Sequence, residues 1–238
     1  MMTRARSLQT FSPIMVANES DSEGMVKPKL LDLFCGAGGA SMGYHRAGFE
    51  VEGVDNKSQP HYPFKFYQVD ALEFPLEGYD AYHASPPCQA YSKAFSMLIG
   101  HRKEHPDLVA DTRNYLSVTG KPYVIENVVG APMENYIQLE GTMFGLEVKK
   151  VRNFELHGFE ILLLPAKPDN TRGWIKNGRL VGMMGHTCYP KERVSRQELE
   201  TAYEINWGLS RHELRQAIPP AYTEYIGKEL IKQMEAVH

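Results

Sequence analysis

The segment 84–92, ASPPCQAYS, carries a cysteine directly behind two prolines. Pro86 and Pro87 each have a locked φ angle and lack a backbone N–H, so Cys88 must lie on a short, rigid, non-helical segment. A cysteine that only packs in a core needs no such support. The chain contains no CxxC pair, which argues against a disulfide framework and a structural zinc site. Any chemistry of Cys88 is therefore that of a free thiol.

A glycine-rich turn, GAGG at 36–39, follows the apolar run KLLDLF and precedes a helical-looking segment. Glycines there let the backbone approach a ligand closely, although many such turns are glycine-rich only for packing. Asp55 lies 19 residues after Gly36, near the roughly 20-residue offset at which a carboxylate can hold ribose hydroxyls. Ser41 stands where a dinucleotide fingerprint has its third glycine, so the turn favours a smaller adenosine ligand over a pyrophosphate.

These groups need a scaffold that brings strand ends together, and the pattern of the chain predicts one. Strand-like runs alternate with helical segments, which indicates an α/β fold with a doubly wound, mostly parallel sheet. In such sheets ligands bind beyond the carboxyl ends of the strands, so we expect the polar residues at these ends to meet at one cleft. The expected strands are 29–34, 49–55, 64–70, 79–85 and 122–128, and the expected helices are 40–48, 107–119, 210–218 and 221–237.

The composition limits the class of protein. At 238 residues with a net charge of −3, the chain can bury one α/β core with a small appendage and has no global positive field. No apolar run approaches the roughly 18 residues of a membrane span, so we expect a soluble, cytoplasmic protein. Residues 1–28 are polar and predict a disordered leader. Residues 165–196 hold seven basic and two acidic residues, which fits either a phosphate-binding patch or a solvated face.

Three motifs, in this order and spacing, resemble those of the C5-cytosine DNA methyltransferases: LDLFCGAGG at 31–39, SPPCQAYS at 85–92 and IENV at 125–128. KVRNF at 150–154 is similar to the Arg-x-Arg-x-aromatic element of that family, and QAIPPAYTEYIG at 216–227 resembles the closing segment of its small phage-type members. The resemblance implies a Rossmann-like class I methyltransferase. It assigns residues 29–155 to a catalytic and S-adenosylmethionine-binding domain, 156–204 to a small irregular target-recognition region and 205–238 to C-terminal helices that return to the catalytic domain.

The resemblance also implies a role for each catalytic residue. Cys88 would add to C6 of cytosine and so push electron density onto C5, which is otherwise a poor nucleophile. Such an addition needs a thiol with a depressed pKa or an adjacent proton acceptor. Glu126 would contact N3 and the exocyclic amine, for which it must hold or share a proton, and Arg152 would hold O2. Asn127 would brace the cysteine segment, and Lys150, which replaces the first arginine of its motif, would keep a phosphate contact.

The implied cofactor is S-adenosylmethionine. Its methionine portion would lie at the glycine turn, its ribose at a carboxylate, and its adenine beside a carboxylate and a backbone amide, with a proline flanking the sulfonium. Phe34, Gly36 and Gly38 would form the turn at the methionine portion, and Asp55 would be the carboxylate at the ribose. Asp70 and the backbone of Ala71 would lie at the adenine, and Pro87 would flank the sulfonium. Ile218 and Pro219 stand where larger members have a Gly-Asn pair, which puts the methionine end of the pocket in question. Cys35 is expected only to pack in the turn, and Cys188 has no expected role.

The expected partner is double-stranded DNA, bound by a monomer in the cytoplasm, or in that of the host cell for a phage-encoded chain. The nine histidines show no HExxH spacing, so we expect no metal. Two alternatives remain. The same catalytic motifs serve cytosine-5 methylation of RNA in one branch of the fold. A catalytically silent DNA-binding protein is disfavoured, since this chain keeps both the thiol and the glutamate.

Overall fold

A computed structural model describes residues 26–88, 91, 107–165, 173–176, 179–181 and 194–236. Seven strands form the main sheet: β1 Lys29–Leu33, β2 Glu50–Asp55, β3 Lys65–Gln68, β4 Ala81–Ala84, β5 Tyr123–Asn127, β6 Tyr136–Leu139 and β8 Arg152–His157. A separate three-stranded sheet consists of β7 Val148–Lys149, β9 Gly173–Lys176 and β10 Arg179–Val181. The described helices are α1 Gly39–Ala47, α2 Leu108–Ser117, α3 Arg196–Tyr203, α4 Arg211–Gln216 and α5 Pro220–Ala236, with a 3₁₀ turn at Gly141–Phe144.

The strand order in the main sheet is β3-β2-β1-β4-β5-β8-β6. The pairs from β3 to β5 are parallel, whereas β8 pairs antiparallel with both β5 and β6. The order reverses direction between β1 and β4, which is the switch point where open α/β sheets form their ligand crevices. The predicted doubly wound, mostly parallel α/β fold is therefore confirmed.

Apolar side chains cover both faces of the parallel strands. In β1, Leu30 packs into one cluster and its neighbours Leu31 and Leu33 into another, as the alternation of a strand requires. The first cluster includes Tyr44 of α1, together with residues of α5, and the second includes Leu116 of α2. Burial on both faces explains why these strands read as nearly continuous apolar runs in the sequence.

The C-terminal helix packs directly on the first helix. A Cβ atom added at Gly43 would lie 2.0 Å from Thr223 Oγ1 and 2.2 Å from the carbonyl oxygen of Pro220. Gly227 faces α1 in the same way, because its added Cβ would lie 2.7 Å from Ala47 Cβ. The two helices thus approach closely through glycines, and this fixes the closing segment against the glycine turn that opens α1.

Each predicted strand and helix has a counterpart in the structure, with ends shifted by a few residues. Strand β8 was missed, since the sequence beyond residue 150 looks irregular. Its residues Asn153 and Glu155 on one face and Phe154 and Leu156 on the other are all buried, so the usual alternation of polar and apolar positions is absent. No described helix has the length and apolar character that a membrane crossing requires. Cys188, most of the basic segment 165–196, and residues 1–25 of the expected leader lie outside the described residues.

Candidate active site

The cysteine segment leaves the sheet at the end of β4. Ser85 to Cys88 follow that strand without helical structure, as two prolines dictate. The side chain of Asn127, at the end of the neighbouring strand β5, donates a 3.0 Å hydrogen bond from Nδ2 to the carbonyl oxygen of Pro86, and both groups are buried. This is the contact that the expected brace requires. Cys88 itself is half-buried.

Glu126 and Arg152 meet beside this segment. Glu126 is 6 % exposed near the end of β5, and Arg152 begins the antiparallel neighbour β8. Arg152 Nε lies 3.0 Å from Glu126 Oε1, and Arg152 Nη1 donates to the carbonyl oxygen of Val151 at 2.8 Å. Both charges act on the Cys88 thiol. The structure therefore brings together the three residues to which the sequence assigned catalysis, and we call Cys88, Glu126 and Arg152 the base-side group.

Burial dominates the electrostatics of the base-side group. It raises the pKa of Glu126, while Arg152, a hydrogen bond from Ser85 and the Lys150 ammonium act in the opposite direction. Burial also raises the pKa of the Cys88 thiol, and the Glu126 carboxylate raises it further, against the opposing effect of Arg152 and Lys150. The first route to a thiolate, a depressed pKa, is thus wrong for the structure as it stands. Glu126, in contrast, is biased toward holding the proton that a contact with cytosine N3 demands.

Lys150 does not lie where a phosphate could reach it. Its side chain is fully buried, and Nζ donates to the carbonyl oxygens of Arg215, Gln216 and Ala217. Burial holds the pKa of Lys150 well below its usual range. These carbonyls end helix α4 and lack partners within the helix, so the ammonium closes the helix end. The expected phosphate contact is wrong, and Lys150 instead ties the C-terminal helices to the strand that carries Arg152.

A hydrogen-bond chain that begins at Tyr44 of α1 reaches Glu126, and no sequence motif marks it. Tyr44 Oη lies 3.1 Å from His83 Nδ1, and His83 Nε2 lies 3.0 Å from Ser85 Oγ. The Ser85 side chain in turn hydrogen-bonds Glu126. Burial lowers the pKa of His83 to about 3, so the imidazole is neutral. The available signal was the position of residues 83 and 85, which share a face of β4 and of its continuation.

The glycine turn adopts the strained geometry that close approach to a ligand requires. Phe34, Gly36 and Gly38 have φ angles of 56°, 50° and 85°. A left-handed φ is ordinary for glycine but uncommon for phenylalanine, and such outliers cluster at functional sites. A Cβ atom added at Gly36 would meet nothing within 4 Å, so the space beside this glycine is open. We call this turn, with Asp55, Asp70, Ala71 and Pro87, the turn-side group.

The carboxylates of the turn-side group bind backbone amides. Asp55 Oδ2 accepts a 3.1 Å hydrogen bond from the N–H of Gly36, and Oδ1 accepts one of 2.9 Å from Lys57. Asp70 is exposed, and its Oδ1 accepts a 2.9 Å bond from the N–H of Leu72. A carboxylate oxygen can accept a second hydrogen bond, so both residues can still contact a ligand. In the structure, Asp55 and Asp70 hold the loops that contain these amides in shape.

Ala71 and Pro87 differ in exposure. Ala71 is 1 % exposed and packs into the core just after β3, so only its backbone can serve a ligand. Pro87 is exposed at the end of the cysteine segment. The residues of both groups lie at or just beyond the carboxyl ends of β1 to β5, except Arg152, which begins the antiparallel strand β8 at the same edge of the sheet.

Asp32 is a second buried group that the sequence left without a role. It is fully buried in β1, where Ser41 donates a hydrogen bond to Oδ2 and Oδ1 has no partner among the described residues. Burial, with smaller effects of Asp55 and Glu126, raises the pKa of Asp32 from 3.8 to about 7. Asp32 thus links the two groups electrostatically.

The closing segment covers the turn at the point where the sequence departs from larger relatives. A Cβ atom added at Gly39 would lie 2.3 Å from the carbonyl oxygen of Ile218. Trp207 Nε1 donates to the carbonyl oxygen of Ala37 at 3.2 Å. Ile218 and Pro219 are buried, so they pack behind the turn. In the part of the chain that the structure describes, no cluster of His, Cys, Asp and Glu could hold a metal ion.

Comparisons with known proteins give one family match and superpositions on solved structures. Residues 28–135 match the family model of the C-5 cytosine-specific DNA methylases. A DNA modification methyltransferase encoded within a prophage of Escherichia coli superposes with a TM-score of 0.61 and 15 % identity, over 88 % of this chain and 100 % of that one. The Entamoeba histolytica methyltransferase EhMeth gives 0.57 and 13 %, over 88 % and 99 %. At these identities the superpositions establish the fold alone. No curated protein matches the sequence.

Proposed function

We propose that this chain, whose residues 28–135 match the family model of the C-5 cytosine-specific DNA methylases, methylates C5 of a flipped-out cytosine in double-stranded DNA through a transient bond from Cys88 to C6. The observation that carries the proposal is the meeting of Glu126 and Arg152, 3.0 Å apart, beside the Cys88 segment that Asn127 braces. A nucleophile, a proton-holding carboxyl and a cation then face one base from fixed positions.

Each side chain of the base-side group has one task in this reaction. The Cys88 thiol gives its proton to water as Sγ adds to C6, and the π electron pair of the C5–C6 bond shifts to C5 and toward N3 and O2. Glu126, whose burial raises its pKa, holds a proton toward N3 and so stabilises that charge. Arg152 holds O2 and keeps Glu126 in place. Water takes the C5 proton before the sulfur is expelled.

The thiol and its surroundings fix when this step can occur. Burial raises the pKa of Cys88, which keeps the thiol protonated in the free enzyme. Arg152 and Lys150 are the two cations that favour the thiolate. We therefore expect the thiolate to form only as it adds to the base, because Glu126 and Arg152 then stabilise the charge that it passes to the ring.

S-adenosylmethionine fits the turn-side group, and when bound it supplies an electrophilic methyl group on a sulfonium. The open space beside Gly36 and the left-handed turn at Phe34 to Gly38 leave room for a ligand against the backbone. Asp55 would hold the ribose hydroxyls with its remaining lone pairs. Asp70 and the backbone of Ala71 would hold the adenine, and Pro87 would flank the reacting centre.

The target cytosine must leave the helix to reach Cys88. Sulfur approaches C6 perpendicular to the ring, and stacked neighbours block that face in a duplex. Flipping costs a few kcal/mol of stacking and pairing, part of which a mispaired cytosine has already lost. A duplex with a mismatch at the target should therefore bind more tightly than the matched one. We assign site recognition to residues 156–204 and expect a monomer to act on the DNA.

The decisive experiment is a covalent trap. Duplex DNA that carries 5-fluorocytosine at the target is incubated with the protein and S-adenosylmethionine and resolved on a denaturing gel. Fluorine cannot leave as a cation, so Cys88 should stay bonded to the DNA after methyl transfer. A shifted band that requires both the cofactor and the thiol, with Cys88→Ala as the control, supports the proposal. An active wild-type protein that gives no band contradicts the covalent route.

Methylation of RNA is tested in parallel with labelled S-adenosylmethionine and either duplex DNA or transfer RNA. We expect label in the DNA. Label in the RNA alone would keep the chemistry of the base-side group and overturn the assigned substrate.

A further inference from the structure

We propose that His83 is a positioning residue that, through the Ser85 hydroxyl, directs a hydrogen bond onto Glu126 and so sets how this carboxyl shares its proton with the base. The inference deepens the proposed function and rests on it. Two contacts and one register carry it: Tyr44 to His83 at 3.1 Å, His83 to Ser85 at 3.0 Å, and the pairing of β4 with β5, which brings Ser85 beside the Glu126 carboxyl on which its hydroxyl acts.

The sheet itself places these side chains in one row. Asp32 of β1 pairs with His83 of β4. Between β4 and β5, His83 pairs with Val124 and Ala84 with Ile125, so Ser85 comes opposite Glu126. Residues two apart on a strand share a face, and paired residues of neighbouring parallel strands face the same side. His83, Ser85 and Glu126 therefore face the side of the sheet that Tyr44 of α1 covers.

Only one arrangement of protons satisfies the chain while Glu126 is ionised. A carboxylate accepts, so Ser85 must donate its hydroxyl proton to Glu126. Ser85 Oγ then accepts from His83 Nε2–H, which leaves Nδ1 as the acceptor for the hydroxyl of Tyr44. The neutral imidazole, with a pKa lowered to about 3, can donate at one nitrogen and accept at the other. His83 thus fixes a direction along the chain.

That direction matters because neighbouring groups shift the pKa of Glu126 in opposite directions. Burial raises its pKa, and the Ser85 hydrogen bond is one of the few contacts that lower it. Without this bond Glu126 would hold its proton more tightly and share it less readily with N3 of the base. The titratable and charged groups that face Glu126 are Arg152 on β8, Lys150, Cys88, Asp32 on β1 and Tyr222 on α5. Those that face His83 are Tyr44 and, across the strand pair, Asp32.

The test compares three substitutions along the chain. His83→Leu removes both ring nitrogens, His83→Gln restores an N–H donor and an acceptor, and Ser85→Ala removes the hydroxyl. We expect His83→Leu and Ser85→Ala to lower kcat for DNA methylation about tenfold, the effect of one lost positioned hydrogen bond, with KM for DNA unchanged. His83→Gln should recover most of the wild-type kcat.

The pH profile separates positioning from mere support of the fold. Glu126 must be protonated at the base, so activity falls as pH rises through its pKa. Loss of the Ser85 donation raises that pKa, and the alkaline limb of kcat/KM should move to higher pH by up to about one unit. The matched control is His157→Leu, since His157 Nε2 also lies 2.8 Å from a buried glutamate, Glu155, on the antiparallel strand β8. It should leave the alkaline limb in place.

The fold of each variant is checked by S-adenosylhomocysteine affinity and by the urea midpoint. If His83→Leu does not fold, Ser85→Ala and Tyr44→Phe, which removes one hydroxyl, carry the same test. An alkaline limb that stays in place in Ser85→Ala and His83→Leu overturns the inference. It is also overturned if His83→Leu has wild-type kcat, or if His83→Gln is as impaired as His83→Leu.

An infrared titration keeps this result distinct from the proposed function. The carboxyl band of Glu126, identified by its loss in Glu126→Gln, reports the pKa without turnover. A wild-type protein that methylates no DNA overturns the proposed function, while the infrared shift in Ser85→Ala still tests the hydrogen-bond chain. An active wild type whose Glu126 band does not shift in Ser85→Ala and His83→Leu overturns the inference alone.

Discussion

The base-side group and the turn-side group, which lie at one edge of the sheet, hold their polar side chains in different ways. In the base-side group, Glu126 is buried and bonded to other side chains, Arg152 at 3.0 Å and Ser85. In the turn-side group, Asp55 and Asp70 accept hydrogen bonds from backbone amides of nearby loops, and neither is buried. One group is a network of side chains, and the other is a loop held in shape by its own carboxylates.

This difference separates chemistry from shape. Side-chain networks in a buried site set proton affinities, because each partner acts at low dielectric. Carboxylates bound to backbone amides mainly fix a turn and have lone pairs left for a ligand. Substitutions in the base-side group should therefore change reaction rates and pH dependence. Substitutions in the turn-side group should change cofactor affinity and local stability together.

The largest effect expected is that of Cys88→Ala on turnover. Without a nucleophile at C6 the methylation rate should fall by at least about a thousandfold, because covalent activation of the ring is lost. The affinity for S-adenosylhomocysteine, measured by calorimetric titration, should stay unchanged, since Cys88 acts on the base. A variant that keeps more than about a hundredth of the wild-type rate would contradict the role of Cys88.

Lys150→Met should give the next largest effect, on the free energy of unfolding. Methionine has a similar length but cannot donate, so the carbonyl oxygens of Arg215, Gln216 and Ala217 lose their shared partner. We expect a loss of about 3 kcal/mol, measured by urea unfolding. Lys228→Met is the control, because Lys228 is exposed and its partner among the described residues is Glu224 on the same helix. This substitution should lower the free energy of unfolding by less than about 1 kcal/mol. Equal costs for the two would show that the buried contacts of Lys150 are not structural.

The two groups also differ in how far the sequence predicts them. Cys88 and Glu126 could be predicted because their motifs end strands of a recognisable parallel sheet, and strand ends meet. Arg152, which begins the antiparallel strand β8, could be predicted only from the resemblance of its motif. The rigid segment around Cys88 followed from two prolines alone. What could not be predicted depends on side chains that meet only after folding. His83 reads as an ordinary residue of a short strand, and nothing in the sequence shows that Tyr44 of α1 lies 3.1 Å from it.

Lys150 and Asp32 illustrate the same limit for charge. A lysine in a motif rich in arginine suggests a surface cation, yet the C-terminal helices bring three carbonyl oxygens onto it from 65 to 67 residues away. Asp32 lies in an apolar run, where its burial is expected, and that burial is the main cause of its raised pKa. The smaller effects of Asp55 and Glu126 come from other strands and could not be predicted. Pairing across long sequence separations leaves no local pattern.

Asp55→Ala tests the turn-side group. The variant loses the carboxylate that binds the amides of Gly36 and Lys57 and that we propose for the ribose. Cofactor affinity should weaken by about 2 to 4 kcal/mol, with a smaller change in turnover at saturating cofactor. Asp70→Ala is the matched comparison, since it removes one contact to the backbone of Leu72 and the contact that we propose to the adenine, and it should weaken cofactor affinity by about 1 kcal/mol.

Measurement of S-adenosylhomocysteine affinity together with unfolding free energy sharpens this comparison. If Asp55→Ala lowers stability but leaves the dissociation constant unchanged, Asp55 only shapes the turn and does not hold the ribose. If the binding free energy of S-adenosylhomocysteine falls by more than the free energy of unfolding, the Asp55 carboxylate both shapes the turn and holds the ribose, as its remaining lone pairs allow.

The smallest effect expected concerns the pH dependence of stability and arises from Asp32, which lies between the two groups. Its pKa is about 7 in the folded protein, raised from 3.8 by burial. Between these values the folded chain binds more protons than the unfolded chain, so this carboxyl makes the free energy of unfolding fall as pH rises from about 4 to 7. Below pH 4 and above pH 7 its contribution is flat.

Asp32→Asn removes this titration while keeping an oxygen that can accept the hydrogen bond from Ser41. We expect the free energy of unfolding of the wild type to fall by about 1 to 2 kcal/mol more than that of Asp32→Asn between pH 5 and pH 7. Urea unfolding at both pH values measures the difference, and other titrating groups cancel because both proteins carry them. Parallel pH profiles for the two proteins would mean that Asp32 is ionised in the folded protein, and that neighbouring groups compensate its charge.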